Sequence, residues 1–209
     1  MRLLTFAGLG LGGSCSLRRL WPDTRGAAAV EFGFLAPLLL LMLLGTIEVA
    51  RAINIDRHFS QATNTAGDLV AREEYLGTDK DNAKANLKSM MDSIGHIMQP
   101  YDTKDLKLGV FSVRVDPDNP DETRVEWSYS FNGENVPSTC DLYALPAGML
   151  SEGASVIVVT STYLFKPLFA DFVPGISGNM TWTDRSFHSP RNSCVDYVKG
   201  DNCSSLSCS

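Results

Sequence analysis

The sequence predicts an α+β protein in which one long N-terminal helix is followed by an antiparallel sheet of about four strands. Two changes in the spacing of apolar residues carry this prediction. Apolar residues first fill a continuous run and then recur every three or four positions through Met98. From Leu106 onward they alternate with polar residues, which is the period of a half-buried strand. Helices and strands that are separated along the chain in this way are typical of the α+β class.

The N-terminal part divides into a leader and an apolar run. Residues 1–26 are basic, since four arginines face Asp23 for a net charge of +3. Residues 27–50 are long enough, at about 1.5 Å per residue, to cross a hydrocarbon core of about 30 Å. We therefore predict a transmembrane helix over 27–50, with a buried core helix as the alternative. Because the arginines precede the span, the positive-inside rule predicts a cytoplasmic N-terminus and an exported C-terminal part.

The helical pattern continues beyond the span and predicts an amphipathic stalk over residues 51–72. The apolar stripe of the stalk consists of Ala52, Ile55, Phe59, Ala62, Ala66, Leu69 and Val70. Asp79 can cap a second helix that runs from Lys80 to Met98. We assign the methionines of this helix to core packing rather than to a promiscuous binding groove.

Alternating and β-branched segments predict the strands. Two strands, one from Leu106 to Val115 and one from Val125 to Phe131, flank an acidic turn over 116–122. Residues 153–165 and 180–188 predict a third and a fourth strand. The turn lacks the spacing and the glycine of a calcium loop, which favours a solvated acidic turn. Residues 73–188 then form a periplasmic α+β domain.

The remaining residues, 189–209, form a polar, cysteine-bearing tail. With Cys140 in the preceding domain, the exported part holds four cysteines: Cys140, Cys194, Cys203 and Cys208. Four cysteines in an oxidising compartment predict two disulfides of undetermined connectivity, and free thiols are the alternative. A zinc site is disfavoured because the cysteines lack Cys-x-x-Cys spacing and the histidines are scattered.

Charge and motifs restrict the function. The chain after residue 26 carries a net charge of −9, which repels phosphate backbones and argues against a nucleic-acid partner. No hydrolase, metalloprotease, Walker or dinucleotide-binding motif is present in the sequence. We therefore predict no catalytic residue, no metal and no cofactor. A membrane-tethered periplasmic hydrolase stays as an alternative.

The boundary between leader and span holds the most informative residues. Gly26 separates the basic leader from the apolar helix, and Glu31 follows five residues later inside that helix. A carboxylate in hydrocarbon costs about 2.5–3.5 kcal/mol on insertion scales, so Glu31 needs a partner. Cleavage after Gly26 would create an α-amino group on Ala27, one helical turn from Glu31. The alternatives are an uncleaved interfacial glutamate and lipoprotein processing at Cys15, whose preceding residues do not form a lipobox.

The stretch RGAAAVEFGFLAPLLLLMLLGTIEVARAI, from residue 25 to residue 53, resembles the TadE/TadG-like pseudopilins of the tight-adherence (Flp) pilus machinery. The resemblance rests on the Gly26…Glu31-Phe start, on Pro37 within the span, and on a Glu-x-x-Arg exit at Glu48 and Arg51. A later stretch, Tyr163-Leu-Phe-Lys-Pro-Leu168, is similar to the C-terminal part of the same family.

The resemblance implies a pilin-like fold and a non-enzymatic minor pseudopilin that helps to assemble an adhesive pilus or its secretion apparatus. It implies cleavage by a prepilin peptidase between Gly26 and Ala27, with Glu31 as the charge that sets subunit register. Implied partners are other pilins or pseudopilins, the assembly platform and the inner membrane. The implied location is the inner membrane with a periplasmic domain, or the cell exterior within a pilus. The alternative function is an uncleaved single-span protein whose periplasmic domain binds another envelope component.

Overall fold

The structure is a computed structural model that describes residues 26–116, 119, 122–146, 148–149, 154–169 and 178–200. Its elements are α1 (Ala27–Ala71), α2 (Lys80–Gly95), a 3-10 turn (His96–Met98), β1 (Leu106–Val115), β2 (Thr123–Phe131), β3 (Ser155–Phe165) and β4 (Met180–His188). The chain divides into two units, Met1–Leu43 and Leu44–Ser209. The predicted α+β class, with a long first helix, a second helix and four antiparallel strands, is confirmed.

The described part of the first unit is helical and apolar. Its leucines between Leu38 and Leu43 are exposed, and an 18-residue window of α1 has a mean hydropathy of 2.2 with none of it buried. The described chain therefore does not surround this helix, which argues against a buried core helix. Among the described residues, α1 is the one helix long and apolar enough to cross a membrane, which is consistent with a single-pass membrane protein.

The part of α1 in the second unit buries the predicted stripe. Ile55, Phe59, Ala62, Ala66 and Val70 are at most 1% exposed. Ala52 and Leu69 pack against the same core while partly exposed. The alanines keep this face shallow, so the helix can lie close to the sheet.

α2 supplies a second helical layer. The Asp79 side chain accepts a hydrogen bond from the backbone N–H of Asn82 at 2.8 Å, which confirms the predicted N-cap. The α-helix ends at Gly95, and the predicted last turn is instead the 3-10 segment His96–Met98. Met91 and Met98 are completely buried in the core, which confirms their assignment to packing.

The four strands form one antiparallel sheet in the order β2-β1-β3-β4. Residues of the two central strands, β1 and β3, alternate between two buried faces. The face toward the helices carries Leu106, Leu108, Val110, Ile157, Val159, Tyr163 and Phe165. The opposite face carries Phe111, Val113, Val125, Val156 and Val158, covered in part by Val136, Tyr143 and Leu145. The connection after β2 therefore acts as a second cover for the sheet.

The segment after β4 is also held by the fold. The N–H of Leu76 donates to the carbonyl of Asp196 at 2.9 Å, and the N–H of Lys199 donates to the carbonyl of Gly77 at 2.8 Å. Val195 is 1% exposed, and its carbonyl accepts a hydrogen bond from Trp127 Nε1 at 2.9 Å. Residues 191–199 thus close over the connection between α1 and α2, an anchor that the polar composition of the tail did not predict.

Candidate functional site: the helix start and the Glu48–Arg51 junction

The buried Glu48 forms an ion pair with the partly exposed Arg51 on α1. A spacing of three residues places both side chains on one helical face. The Glu48 carboxylate is 2% exposed, and its Oε1 lies 3.1 Å from Arg51 Nη1. Its second oxygen, Oε2, accepts a hydrogen bond from the backbone N–H of Leu168 at 3.2 Å. Both carboxylate oxygens are therefore satisfied, as burial of a charged group requires.

Arg51 extends the same junction toward the end of β3. Its Nη1 donates to the carbonyl of Lys166 at 3.1 Å, and its guanidinium carbon lies 5.5 Å from the centroid of the Phe165 ring. Lys166 is held in turn, since its Nζ lies 2.5 Å from Asp105 Oδ2. The pair thus clamps the main chain of residues 166–168 to α1. We call Glu48, Arg51 and the backbone of 166–168 the junction clamp.

Aromatic side chains lie beside the junction clamp. The rings of Phe165 and Trp182 stack with centroids 4.7 Å apart and an interplanar angle of 8°. Tyr163 lies between this pair and α1, with its ring centroid 6.4 Å from that of Trp182 and 6.0 Å from that of Phe59. The clamp and the rings together hold the C-terminal end of β3 against the helix.

The residues proposed for processing lie at the start of α1. Gly26 directly precedes the first helical residue, Ala27, and both are exposed. Glu31 is also exposed, and none of the described side chains pairs with its carboxylate. Residues 1–25 of the leader, and with them the lipoprotein alternative at Cys15, lie outside the described residues.

Cys140 and Cys194 lie among the described residues, and Cys203 and Cys208 lie outside them. The oxidation of all four cysteines and their connectivity therefore stay predictions.

The acidic turn is partly held by an arginine. Arg124 pairs with Asp116, and its Nη2 lies 3.0 Å from Glu122 Oε2. Arg124 Nη1 also donates to the carbonyl of Cys140 at 3.2 Å. Within the described ranges, no group of three or more His, Cys, Asp or Glu side chains could hold a metal ion.

His188, at the end of β4, packs against Gly67 of α1. Its Nε2 is buried and has no hydrogen-bond partner among the described atoms. Burial lowers the pKa of this imidazole below its ordinary value of 6.5, and the nearby Asp68 carboxylate opposes the shift. This packing gives His188 a structural role in the contact between α1 and β4.

Residues 26–68 match the family model of TadE-like proteins. This segment is TadE-like. The match begins at Gly26 and includes Glu31, Glu48 and Arg51, and it confirms the resemblance found in the sequence. It is consistent with a TadE/TadG-like protein of the Tad pilus system. No curated protein and no solved structure matches the chain.

The TadE-like segment covers the apolar run of α1 and most of the α1 face that packs on the sheet. The second stretch of resemblance, Tyr163 to Leu168, lies outside the matched residues and stays a prediction. In the fold, however, this stretch meets the TadE-like segment at the junction clamp. The sequence pattern does not predict this contact, because backbone groups of 166–168 make it.

Proposed function

We propose that this protein is a minor pseudopilin that takes part in assembling an adhesive Flp-type pilus or its secretion apparatus. The single observation that carries the proposal is the TadE-like match, which begins at Gly26, the residue directly before α1. The match supports a role in the Tad pilus system at the level of the family, and a structural rather than a catalytic role is part of the proposal. The finer role proposed here adds processing, membrane orientation and a function for Glu31.

Processing would occur between Gly26 and Ala27, by a prepilin peptidase that cuts on the cytoplasmic side of the inner membrane. The exposure of both residues at the helix start supports this proposal, because a protease needs access to the bond. The cut would leave the apolar helix as the N-terminus of the mature protein, with its C-terminal domain in the periplasm.

The test compares two glycine variants in a host that has its prepilin peptidase. A Cβ added at Gly26 or at Gly33 would meet no described atom within 4 Å, so Gly26→Val and Gly33→Val are matched in steric terms. We expect the parent and Gly33→Val to begin at Ala27 by N-terminal analysis, and Gly26→Val to retain its leader. Recovery of the parent with Met1 intact, or with a lipid-modified Cys15, would refute the pseudopilin role. The first of these outcomes would favour an uncleaved single-span envelope protein.

Glu31 would set the register between subunits by pairing with the α-amino group of Ala27, in its own or a neighbouring chain. Its exposure supports this role, because the carboxylate is open to a partner outside the described chain. Removing one partner of a buried pair costs about 3–5 kcal/mol, since the other charge is left behind. Loss of Glu31 should therefore impair assembly with other pilins and platform components.

Glu31→Gln keeps the side-chain volume and removes the charge, and Glu31→Ala removes both. The matched control is Asp56→Asn, which removes an exposed carboxylate from the same helix beyond the span. We expect both Glu31 variants to be processed and folded but to lose co-purification with other pilus components, and the control to retain it. If the Glu31 variants assemble as well as the control, the register role is wrong.

A further inference from the structure

One end of the sheet lies beside the residues of α1 at which the continuous apolar run of the helix ends. β3 runs antiparallel to α1: Ser161 Oγ lies 2.6 Å from Thr63 Oγ1, and Leu168 reaches Glu48. The C-terminal end of β3 and the start of β4, which are paired at Phe165 and Met180, therefore lie beside Glu48.

That end of the sheet exposes apolar side chains. Leu168 is 64% exposed and Met180 is 41% exposed. The adjacent part of α1 is apolar and exposed in the same way, with Ile47 at 46%, Val49 at 52% and Ile53 at 49%. Exposed apolar side chains are thus present both on this stretch of α1 and at this end of the sheet.

The neighbours of these side chains have the composition of a membrane interface. Trp182 is half-buried and stacks on Phe165, and Arg51 and Lys166, which pair with Glu48 and Asp105, lie beside them. Tryptophan concentrates at the headgroup level of bilayers. We call Leu168, Met180 and Trp182 the membrane rim.

We propose that the membrane rim lies in the interfacial layer of the lipid bilayer, so that the domain rests on the membrane surface. The helix length supports this placement, because residues 27–47 measure about 32 Å at 1.5 Å per residue, close to the thickness of a hydrocarbon core. The junction clamp, one residue further along, then lies at headgroup level and carries Leu168 with it. The proposal rests on the membrane span of the proposed function and is independent of processing and of Glu31.

The test is photo-crosslinking of the full chain in phospholipid nanodiscs, with p-benzoylphenylalanine placed at one position at a time. Position 168 reports on the membrane rim. Position 142 is the matched control, because Leu142 is 60% exposed, which is close to the exposure of Leu168. Leu142 forms a β-bridge with Arg124, so it lies at the opposite end of the sheet. Position 39 reports on the span, since Leu39 is 55% exposed within α1.

Mass spectrometry of the adducts decides between the outcomes. We expect phospholipid adducts at positions 39 and 168, and none at position 142. Adducts at 39 without adducts at 168 would overturn the rim while leaving the span intact. A protein adduct at 168, with a second copy of this chain, would also overturn it and identify the rim as a subunit contact. Equal yields of lipid adduct at positions 168 and 142 would contradict a specific contact between the membrane rim and the bilayer. The absence of a lipid adduct at position 39 would contradict both the membrane span and the membrane rim.

Discussion

Gly67 offers a sharp test of how closely α1 packs on β4. A Cβ added at this position would lie 2.1 Å from His188 Cδ2 and 2.5 Å from His188 Nε2. Both distances are far below van der Waals contact, so the imidazole or the helix must move. Gly67 is itself buried, which leaves the alanine methyl group no open space nearby.

Two effects of Gly67→Ala oppose each other. Alanine favours a helix over glycine by about 0.8–1 kcal/mol. Overpacking a well-packed core costs about 1–3 kcal/mol. The distance of 2.1 Å favours the upper part of that range, and we therefore expect a net loss of about 1–2 kcal/mol in the free energy of unfolding.

The assay is urea denaturation of the full chain in mild detergent, followed by tryptophan fluorescence. Trp127 is buried and Trp182 is stacked on Phe165, so both report on loss of the domain core. The decisive comparison repeats Gly67→Ala in a His188→Ala background. With the imidazole gone, the steric cost disappears and alanine should stabilise the protein by up to about 1 kcal/mol.

The sign of the effect should thus reverse between the two backgrounds. If Gly67→Ala stabilises the parent as much as it stabilises the His188→Ala variant, the close contact between α1 and His188 is wrong. A slope of the transition that stays constant among the variants would show that stability, rather than the compactness of the unfolded state, has changed.

Three further predictions concern the clamp, pH and the cysteines. Glu48→Gln should lower the free energy of unfolding by about 1–3 kcal/mol and speed hydrogen exchange at the Leu168 amide, because a buried charged acceptor is lost; unchanged exchange would contradict the clamp. Because burial lowers the His188 pKa, the unfolded chain binds this proton more tightly, and stability should fall as pH decreases below 6.5, a loss that His188→Gln removes. Under denaturing conditions without reductant, Cys140, Cys194, Cys203 and Cys208 should resist alkylation and should react after reduction. Reaction of all four before reduction would contradict their oxidation.

Periodicity predicted most of the secondary structure because this chain buries its apolar residues at regular intervals. The stripe from Ile55 to Val70 and the ends of β4 were predicted closely. The end of α2 was not, since the last turn changes to a 3-10 segment whose side chains, such as Met98, still fit the helical pattern. The apolar side chains stay buried at the helical spacing even where the backbone hydrogen bonds change from the α-helical to the 3-10 pattern.

The candidate site was predicted unevenly, for a physical reason. Glu48 and Arg51 were visible as a motif, but their partners are a backbone N–H and a backbone carbonyl of residues 166–168, which any sequence carries. The tail was missed for the same reason, because Asp196 and Lys199 bind through their main chain. A pattern of side chains predicts which faces are buried, and it does not predict backbone contacts between distant segments.

The closure of the tail over the α1–α2 connection has a consequence for how this protein is made. Asp196 pairs with Leu76 and Glu74, so backbone groups near the start of the domain have partners that are synthesised some 120 residues later. At roughly 5–20 residues per second, the interval is about 6–24 s. During that time these backbone groups of the early segment lack their hydrogen-bond partners. They gain them only when the segment after β4 has been synthesised. A nascent chain stopped before Arg191 would carry both helices and all four strands and would lack the residues that bind the α1–α2 connection.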